Sequence, residues 1–237
     1  MSTRKINVKV NKDFRCFLTG DEFEFEFSMF KPLWLVGNNG TGKSTLVEAI
    51  RCLRNDSNTR ESIALYKHNF KDVFTIEGLD QYDKILHLSA TVDDSLNFCN
   101  ASSATDFIDF GGFWLSKMSH GQRAMAQLNS FVGKTLEENL KDVDPFKTLI
   151  ILDEADKGLD LRYQVGYANM VKNLAYKYMC DILVISHNPV CWLISGYVYS
   201  IEDKELMTST EYIKSETGIS LTVDDLDKYV FNKKDEQ

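Results

Sequence analysis

One octapeptide constrains this chain more than any other feature. Gly37-Asn38-Asn39-Gly40-Thr41-Gly42-Lys43-Ser44 fits the pattern G-x-x-x-x-G-K-[ST]. It follows the apolar run Leu33-Trp34-Leu35-Val36, which reads as a strand covered on both faces. It opens a segment in which Leu46, Ala49, Ile50 and Leu53 recur at helical spacing. A strand, a glycine turn and a helix in that order make a cradle for phosphate. The glycines let the backbone turn tightly and aim several N–H groups inward, and the helix N-terminus adds positive potential. Lys43 is expected to reach the β- and γ-phosphates of a nucleotide. The Ser44 hydroxyl is expected on Mg2+, a hard cation that prefers oxygen ligands.

The rest of the chain predicts the sheet this cradle belongs to. Ile6, Val8 and Val10, then Phe23, Phe25 and Phe27, alternate with polar residues, the period of strands with one buried face. Two more strands are expected around Val73–Ile76 and Ile85–Val92. Residues 93–112 read as loop with short helix, and 120–140 as helix. Leu149–Leu152, Ile182–Ile185 and Tyr197–Ile201 read as further strands. Between them Leu161, Val165, Ala168, Val171, Leu174 and Tyr178 fall on one face of a long helix. Buried strands alternating with helices predict an α/β fold, a mostly parallel sheet flanked by helices, with an antiparallel section at its N-terminal side. With no internal repeat and no Gly/Ser-rich linker, residues 1–237 are expected to form a single domain. The last twenty or so residues are expected as a helix and a frayed tail.

Composition bounds the function. Hydrophobic residues are 43% and charged residues 26%, which excludes collagen-like, disordered and disulfide-scaffold proteins. Lys and Arg number 27 against 35 Asp and Glu, so the surface does not carry the excess of positive charge that sequence-independent DNA affinity requires. Nucleic acid stays open as a partner only through a local basic patch. Cys16, Cys52, Cys99, Cys180 and Cys191 are scattered without CxxC spacing, which points to buried thiols in a reducing compartment rather than a metal site. No apolar run approaches the ~20 residues that span a bilayer, and Met1–Val10 has no signal-peptide core. A cytoplasmic protein without direct membrane insertion is expected.

A second acidic site follows the strand Leu149–Leu152. Asp153 and Glu154 end that strand, and ligands of such sheets bind at the carboxyl ends of strands. Asp153 is expected to face the Mg2+ held by Ser44, and Glu154 to orient or deprotonate an attacking water.

Downstream motifs carry a resemblance. The chain reads Ser119-His120-Gly121-Gln122-Arg123, then Asp153-Glu154-Ala155-Asp156-Lys157-Gly158-Leu159-Asp160, then Ile185-Ser186-His187. In order and spacing this resembles an ATP-binding cassette (ABC) ATPase: Walker A, signature, Walker B with a glutamate, D-loop and H-loop, spanning about 33–190. The resemblance implies a P-loop fold with a small helical subdomain at about 93–140 bearing the signature, and a C-terminal extension at about 203–237. It implies an ATP hydrolase with ATP and Mg2+ held by Gly37, Asn38, Asn39, Gly40, Thr41, Gly42, Lys43, Ser44 and Thr45, the metal on Ser44 and Asp153, and Glu154 and His187 as catalytic residues. Ser119, Gly121, Gln122 and Asp160 would contact nucleotide, Ser119 and Gly121 through the γ-phosphate of a second subunit. Each of these also has a plainer reading: Ser119 and Gln122 form a capping box, Asp160 an N-cap, His187 a strand-end histidine.

Departures are visible. His120 replaces the first signature glycine, Met118 the leading leucine and Ala155 the common proline. No Q-loop is assignable; Gln81 lies at a plausible distance from Lys43 but precedes its predicted strand. No adenine-stacking aromatic stands out.

The wording around Lys43 is similar to soluble SMC/RecF-type and stand-alone phage or mobile-element ATPases, without the heptads of a coiled-coil arm. Three functions are carried forward. One is an ATP-driven homodimerising switch for DNA repair, recombination or defence, alone or in a larger assembly with an effector protein. The second is an ATP-sensing module that recruits an effector with little turnover. The third is the nucleotide-binding subunit of a transporter.

Overall fold

The structure, a computed structural model, describes residues 3–54, 70–89, 140–141 and 144–225. Nearly all of the expected helical segment 93–140, with Ser119, His120, Gly121 and Gln122, lies outside the described residues, as do Cys99 and the chain beyond 225.

Strands β1 (Arg4–Val10) and β2 (Glu22–Phe27) pair antiparallel, setting Ile6 opposite Phe25 and Val8 opposite Phe23. β3 (Leu33–Val36) leads into helix α1 (Lys43–Arg54). β4 (Phe74–Glu77) joins the free edge of β1 after a helical turn over Phe70–Val73, so the predicted strand begins one residue later than expected. Then come β5 (Lys84–Ser89), β6 (Thr148–Asp153), α2 (Leu161–Tyr178), β7 (Asp181–Ile185), α3 (Pro189–Ser195), β8 (Tyr197–Ser200), β9 (Glu205–Thr208) and α4 (Ser209–Thr217). The larger sheet has the order β5-β6-β7-β3-β8-β9, parallel except for the β8–β9 pair.

The buried strands β3, β6 and β7 divide their residues by parity between two cores. Leu33, Leu35, Leu149, Ile151, Leu183 and Ile185 face α1 and the three-stranded sheet. Trp34, Val36, Ile150, Leu152, Ile182 and Val184 face α2, α3 and α4, against Tyr167, Val171, Trp192 and Tyr212. Each fully buried side chain of this size contributes roughly 1.5–3 kcal/mol, so both faces hold the three strands in register. Because the strands are parallel, their last residues emerge at one edge. Asp153 pairs with Ile185, and Leu35 pairs with Ile185 from the other side.

The opposite edge is tied by charge. Arg4 grips Asp181 with two bonds, Nε to Oδ2 at 2.6 Å and Nη2 to Oδ1 at 2.8 Å, and the Tyr82 hydroxyl donates to Oδ2 at 2.7 Å. This clamps the start of β1 to the start of β7.

Several expectations shift. Leu161 is exposed and Val165 only half-buried; the buried stripe of α2 is Tyr167, Ala168, Val171, Leu174 and Ala175. The first turn of α2 lies at the cleft described below, with Gln164 in its lining, and not over the sheet. Gln81 sits in a 3-10 turn before β5, its amide donating to the Lys5 and Gly78 carbonyls. β5 runs parallel to β6 from Lys84 opposite Thr148 to Ser89 opposite Asp153. Gln81 is therefore at the far end of the strand from the phosphate loop and is no Q-loop. β9 and α4 fall in the span expected as a C-terminal extension, where they add an edge strand and a packed helix. Cys52, Cys180 and Cys191 are buried thiols as expected, but Cys16 is exposed. No helix among the described residues is long and apolar enough to cross a membrane.

Candidate functional site

The phosphate loop leaves β3 at Gly37 and enters α1 at Lys43. Two of its glycines are sterically required. At Gly37 (φ 147°) a Cβ would lie 2.5 Å from the Ile201 side chain, and at Gly42 (φ 99°) 2.2 Å from the Phe17 ring. The loop thus turns where no larger residue fits, delivering the first N–H groups of α1, which have no intrahelical partner, to its mouth. Lys43 is 5% exposed. Its Nζ donates to the Gly37 carbonyl at 2.7 Å, the Asn38 carbonyl at 2.8 Å and the Thr41 hydroxyl at 3.4 Å. Burial lowers its pKa, while the charges of Glu154, Glu202 and Asp153 oppose that.

The structure brings Ser44 and Asp153 together, the hydroxyl 3.4 Å from Oδ1. Burial, with Glu154 next in order, pushes the Asp153 carboxyl up to about 6. A hydroxyl beside a buried carboxylate at the root of a phosphate cradle is an all-oxygen donor set, and it fits Mg2+.

Glu154 adopts φ 53°, in the left-handed region unusual for a non-glycine residue, with its N–H bonded to the Ile185 carbonyl at 2.9 Å. Its Oε1 lies 3.3 Å from His187 Nε2 and its Oε2 3.3 Å from Lys157 Nζ. Burial and the Lys43 charge lower the His187 pKa, against the carboxylates of Glu154 and Asp156, which raise it. A cleft of about 550 Å³ opens here, lined by Asn39, Glu154, Lys157, Gln164, His187 and Asn188 among others.

The remaining expected residues divide. Gly40 adopts φ 86° with open space around it. The Thr45 hydroxyl accepts from Arg15 at 2.6 Å. The Asn38 amide turns toward two carboxylates, Glu202 at 3.0 Å and Glu216 at 3.1 Å. Asp160 is the N-cap of α2, accepting from the N–H groups of Arg162 and Tyr163, so its plain reading holds. Phe17 is buried edge-on against Phe23 and Phe74, a core residue that also walls the loop. Sequence reasoning missed Arg15, Lys157, Asp156, Ser186, Glu202 and Glu216. The only signals were the adjacency of Asp156 and Lys157 to the acidic pair and of Ser186 to His187.

Comparison with known proteins follows this geometry. A family model described as AAA domain (AAA_23) matches residues 11–236. The zinc import ATP-binding protein ZnuC of Buchnera aphidicola subsp. Acyrthosiphon pisum (strain APS) is 26% identical over 187 residues, 77% of this chain and 72% of its own length. Among solved structures, the ADP conformation of MJ1267, an ATP-binding cassette of an ABC transporter, superposes with a TM-score of 0.52 at 15% identity, covering 87% of this chain and 90% of that one. The SMC head domain from Thermotoga maritima gives 0.50 at 17% identity, covering 84% and 94%. Both likenesses are of the fold. With nearly its whole length matched, the chain belongs to the AAA_23 family of AAA domains, and it is an ATPase of the ABC type.

Proposed function

We propose that two copies of this chain clamp Mg·ATP between them and that hydrolysis releases the clamp, a switch serving DNA repair, recombination or defence from the cytoplasm. The observation that carries this reading is the convergence of Lys43, Ser44, Asp153, Glu154 and His187 at one sheet edge. Lys43 binds the β- and γ-phosphates, exchanging its loop carbonyls for phosphate oxygens. Ser44 and Asp153 would hold magnesium, which supplies neutralisation of charge on the phosphoryl oxygens. Glu154 orients the attacking water and takes its proton as the water oxygen bonds the γ-phosphorus and the bond to the ADP oxygen breaks. His187, against Glu154, holds that carboxylate and contacts the γ-phosphate. The second copy closes the site with Ser119, Gly121 and Gln122, with Asp160 at the junction.

The test is the Glu154→Gln variant, which is expected to bind ATP and accumulate as a dimer with Mg·ATP while turnover falls by about 100-fold or more. An unaltered hydrolysis rate refutes the role of Glu154, and a monomer at saturating Mg·ATP refutes the switch. Pull-down of the trapped variant identifies the effector.

A second reading, the nucleotide-binding subunit of a transporter, is favoured by the likeness to ZnuC. Co-purification of the trapped variant with a polytopic membrane protein would select it.

A further inference from the structure

Behind the Glu154–His187 pair lies a buried polar link that the mechanism above does not use. Asp156 is 6% exposed and Ser186 is fully buried. The Ser186 hydroxyl donates to Asp156 Oδ2 at 2.6 Å and accepts the Asn188 N–H at 3.0 Å. The Ser186 carbonyl accepts the Trp192 indole N–H at 3.0 Å. His187 therefore stands on a segment pinned on both sides. The turn carrying Glu154 is tied to it, because Asp156 belongs to that turn: its carbonyl accepts the Leu159 N–H, and the Glu154 carbonyl accepts the Lys157 N–H. Among the described residues, side chains join the two turns at their root by the Asp156–Ser186 bond and farther out by His187 Nε2, 3.3 Å from Glu154 Oε1.

As a stabilising device this is a poor choice. A buried carboxylate gains most when a cation faces it. Besides a backbone N–H, the Asp156 carboxylate has the Ser186 hydroxyl and, at 3.8 Å, the Cys191 thiol; among the described residues no Lys, Arg or His comes within ion-pair distance of it. What the link does supply is directional. It fixes the separation of two turns that leave neighbouring parallel strands, and so the aim of the two groups that must converge on the γ-phosphate. Misplacement of such groups by about 1 Å costs on the order of 100-fold in rate.

We infer that Asp156 is a positioning residue for ATP hydrolysis, acting through Ser186 to set His187 against Glu154. The inference rests on the ATPase reading above and names a residue that reading does not require.

The experiment uses the full chain with Mg·ATP and measures ATP Kd, kcat, KM and the unfolding midpoint for Asp156→Ala, Ser186→Ala and Asp156→Asn. Asp156→Ala and Ser186→Ala are expected to lower kcat by about 10-fold or more with KM within about 3-fold, because the phosphate loop is untouched. Asp156→Asn keeps an acceptor oxygen and is expected to recover kcat to within about 3-fold of the parent. In a His187→Ala background, Asp156→Ala is expected to add less than about 2-fold, since residues acting as a unit are not additive. Should Asp156→Ala fail to fold, Ser186→Ala, which removes one oxygen, carries the same test. Parental kcat in Ser186→Ala, or an undiminished Asp156→Ala effect without His187, overturns the inference. Loss of turnover in Glu154→Gln alongside parental turnover in Ser186→Ala refutes this inference alone. Parental turnover in Glu154→Gln refutes the underlying reading instead.

Discussion

The two ends of strand β7 treat buried acids in opposite ways. At its start, Asp181 is gripped by the Arg4 guanidinium on both oxygens and by the Tyr82 hydroxyl. Near its other end, Asp153 at the end of the neighbouring β6 and Asp156 just beyond it are as deeply buried, but their side-chain partners among the described residues are hydroxyls and a thiol, and burial raises the pKa of both. The first end is saturated with donors and locks two sheets together. The second gives neither aspartate an ion pair among the described residues, which costs stability and leaves carboxylate oxygens for a cation. Active sites commonly hold such destabilising arrangements, and here the contrast is spanned by the length of one five-residue strand.

The sharpest way to break the comparison is a pair of deletions. Asp181→Ala leaves the Tyr82 hydroxyl buried and Arg4 without its partner. It is expected to cost about 3 kcal/mol in urea unfolding, toward the low end for a broken buried pair because Arg4 is partly solvated. ATP affinity per folded molecule is expected to stay within about twofold. Lys43→Ala is expected to do the reverse. ATP affinity falls about 100-fold, roughly 3 kcal/mol, while stability moves by less than about 1 kcal/mol, since the desolvation cost of the ammonium goes with its hydrogen bonds. If both variants lose stability and binding together, the two ends are not separable.

A smaller effect probes the sheet between them. His87 on β5 has a buried Nε2 with no partner among the described residues, and burial pushes the imidazole down to about 3. The unfolded chain binds that proton near pH 6.5, so stability is expected to fall as pH drops below 6.5 and to go on falling toward 3. The loss between pH 7 and pH 5 is about 2 kcal/mol. His87→Leu is expected to flatten that limb of the urea-midpoint profile. An unchanged acid limb would show that His87 titrates normally.

What the sequence makes legible follows from the same geometry. Gly37–Ser44, Asp153, Glu154 and His187 each begin at, or within two residues of, the end of an apolar strand, and parallel strands deliver such residues to one edge, so motif order alone predicts the meeting. The links between distant segments are not legible. Ser186 and Asp156 are 30 residues apart, and Asn38 and Glu202 are 164 apart. No periodicity encodes either pairing. Helix α3 had its signals, Asn188 as N-cap, Pro189 in the first turn and Gly196 after the last, but seven residues are too few for a 3.6-residue period to show. β9, with two exposed and two half-buried residues, lacks the apolar run that marks the central strands. The helix starts at Leu161 as expected, but its buried face was misjudged there for a similar cause: Leu161 and Val165 keep helical phase with the core but lie beyond the strands that would cover them.

The smallest expected effect separates distance from burial as the source of the lock at Asp181. Lys9, on the same strand as Arg4, sits 2.8 Å from Glu22, the separation of one of the two Arg4–Asp181 bonds. Both partners of the Lys9 pair are more than half exposed. Water screens their attraction, and holding two long side chains in one geometry costs rotamer entropy, so the pair returns almost nothing. Lys9→Ala is expected to leave the unfolding midpoint where it was, at low salt and at 0.5 M salt alike. A shift as large as that of Asp181→Ala would mean that proximity of charge is sufficient, and the distinction between the saturated and the unsaturated ends of β7 would then lose its physical basis.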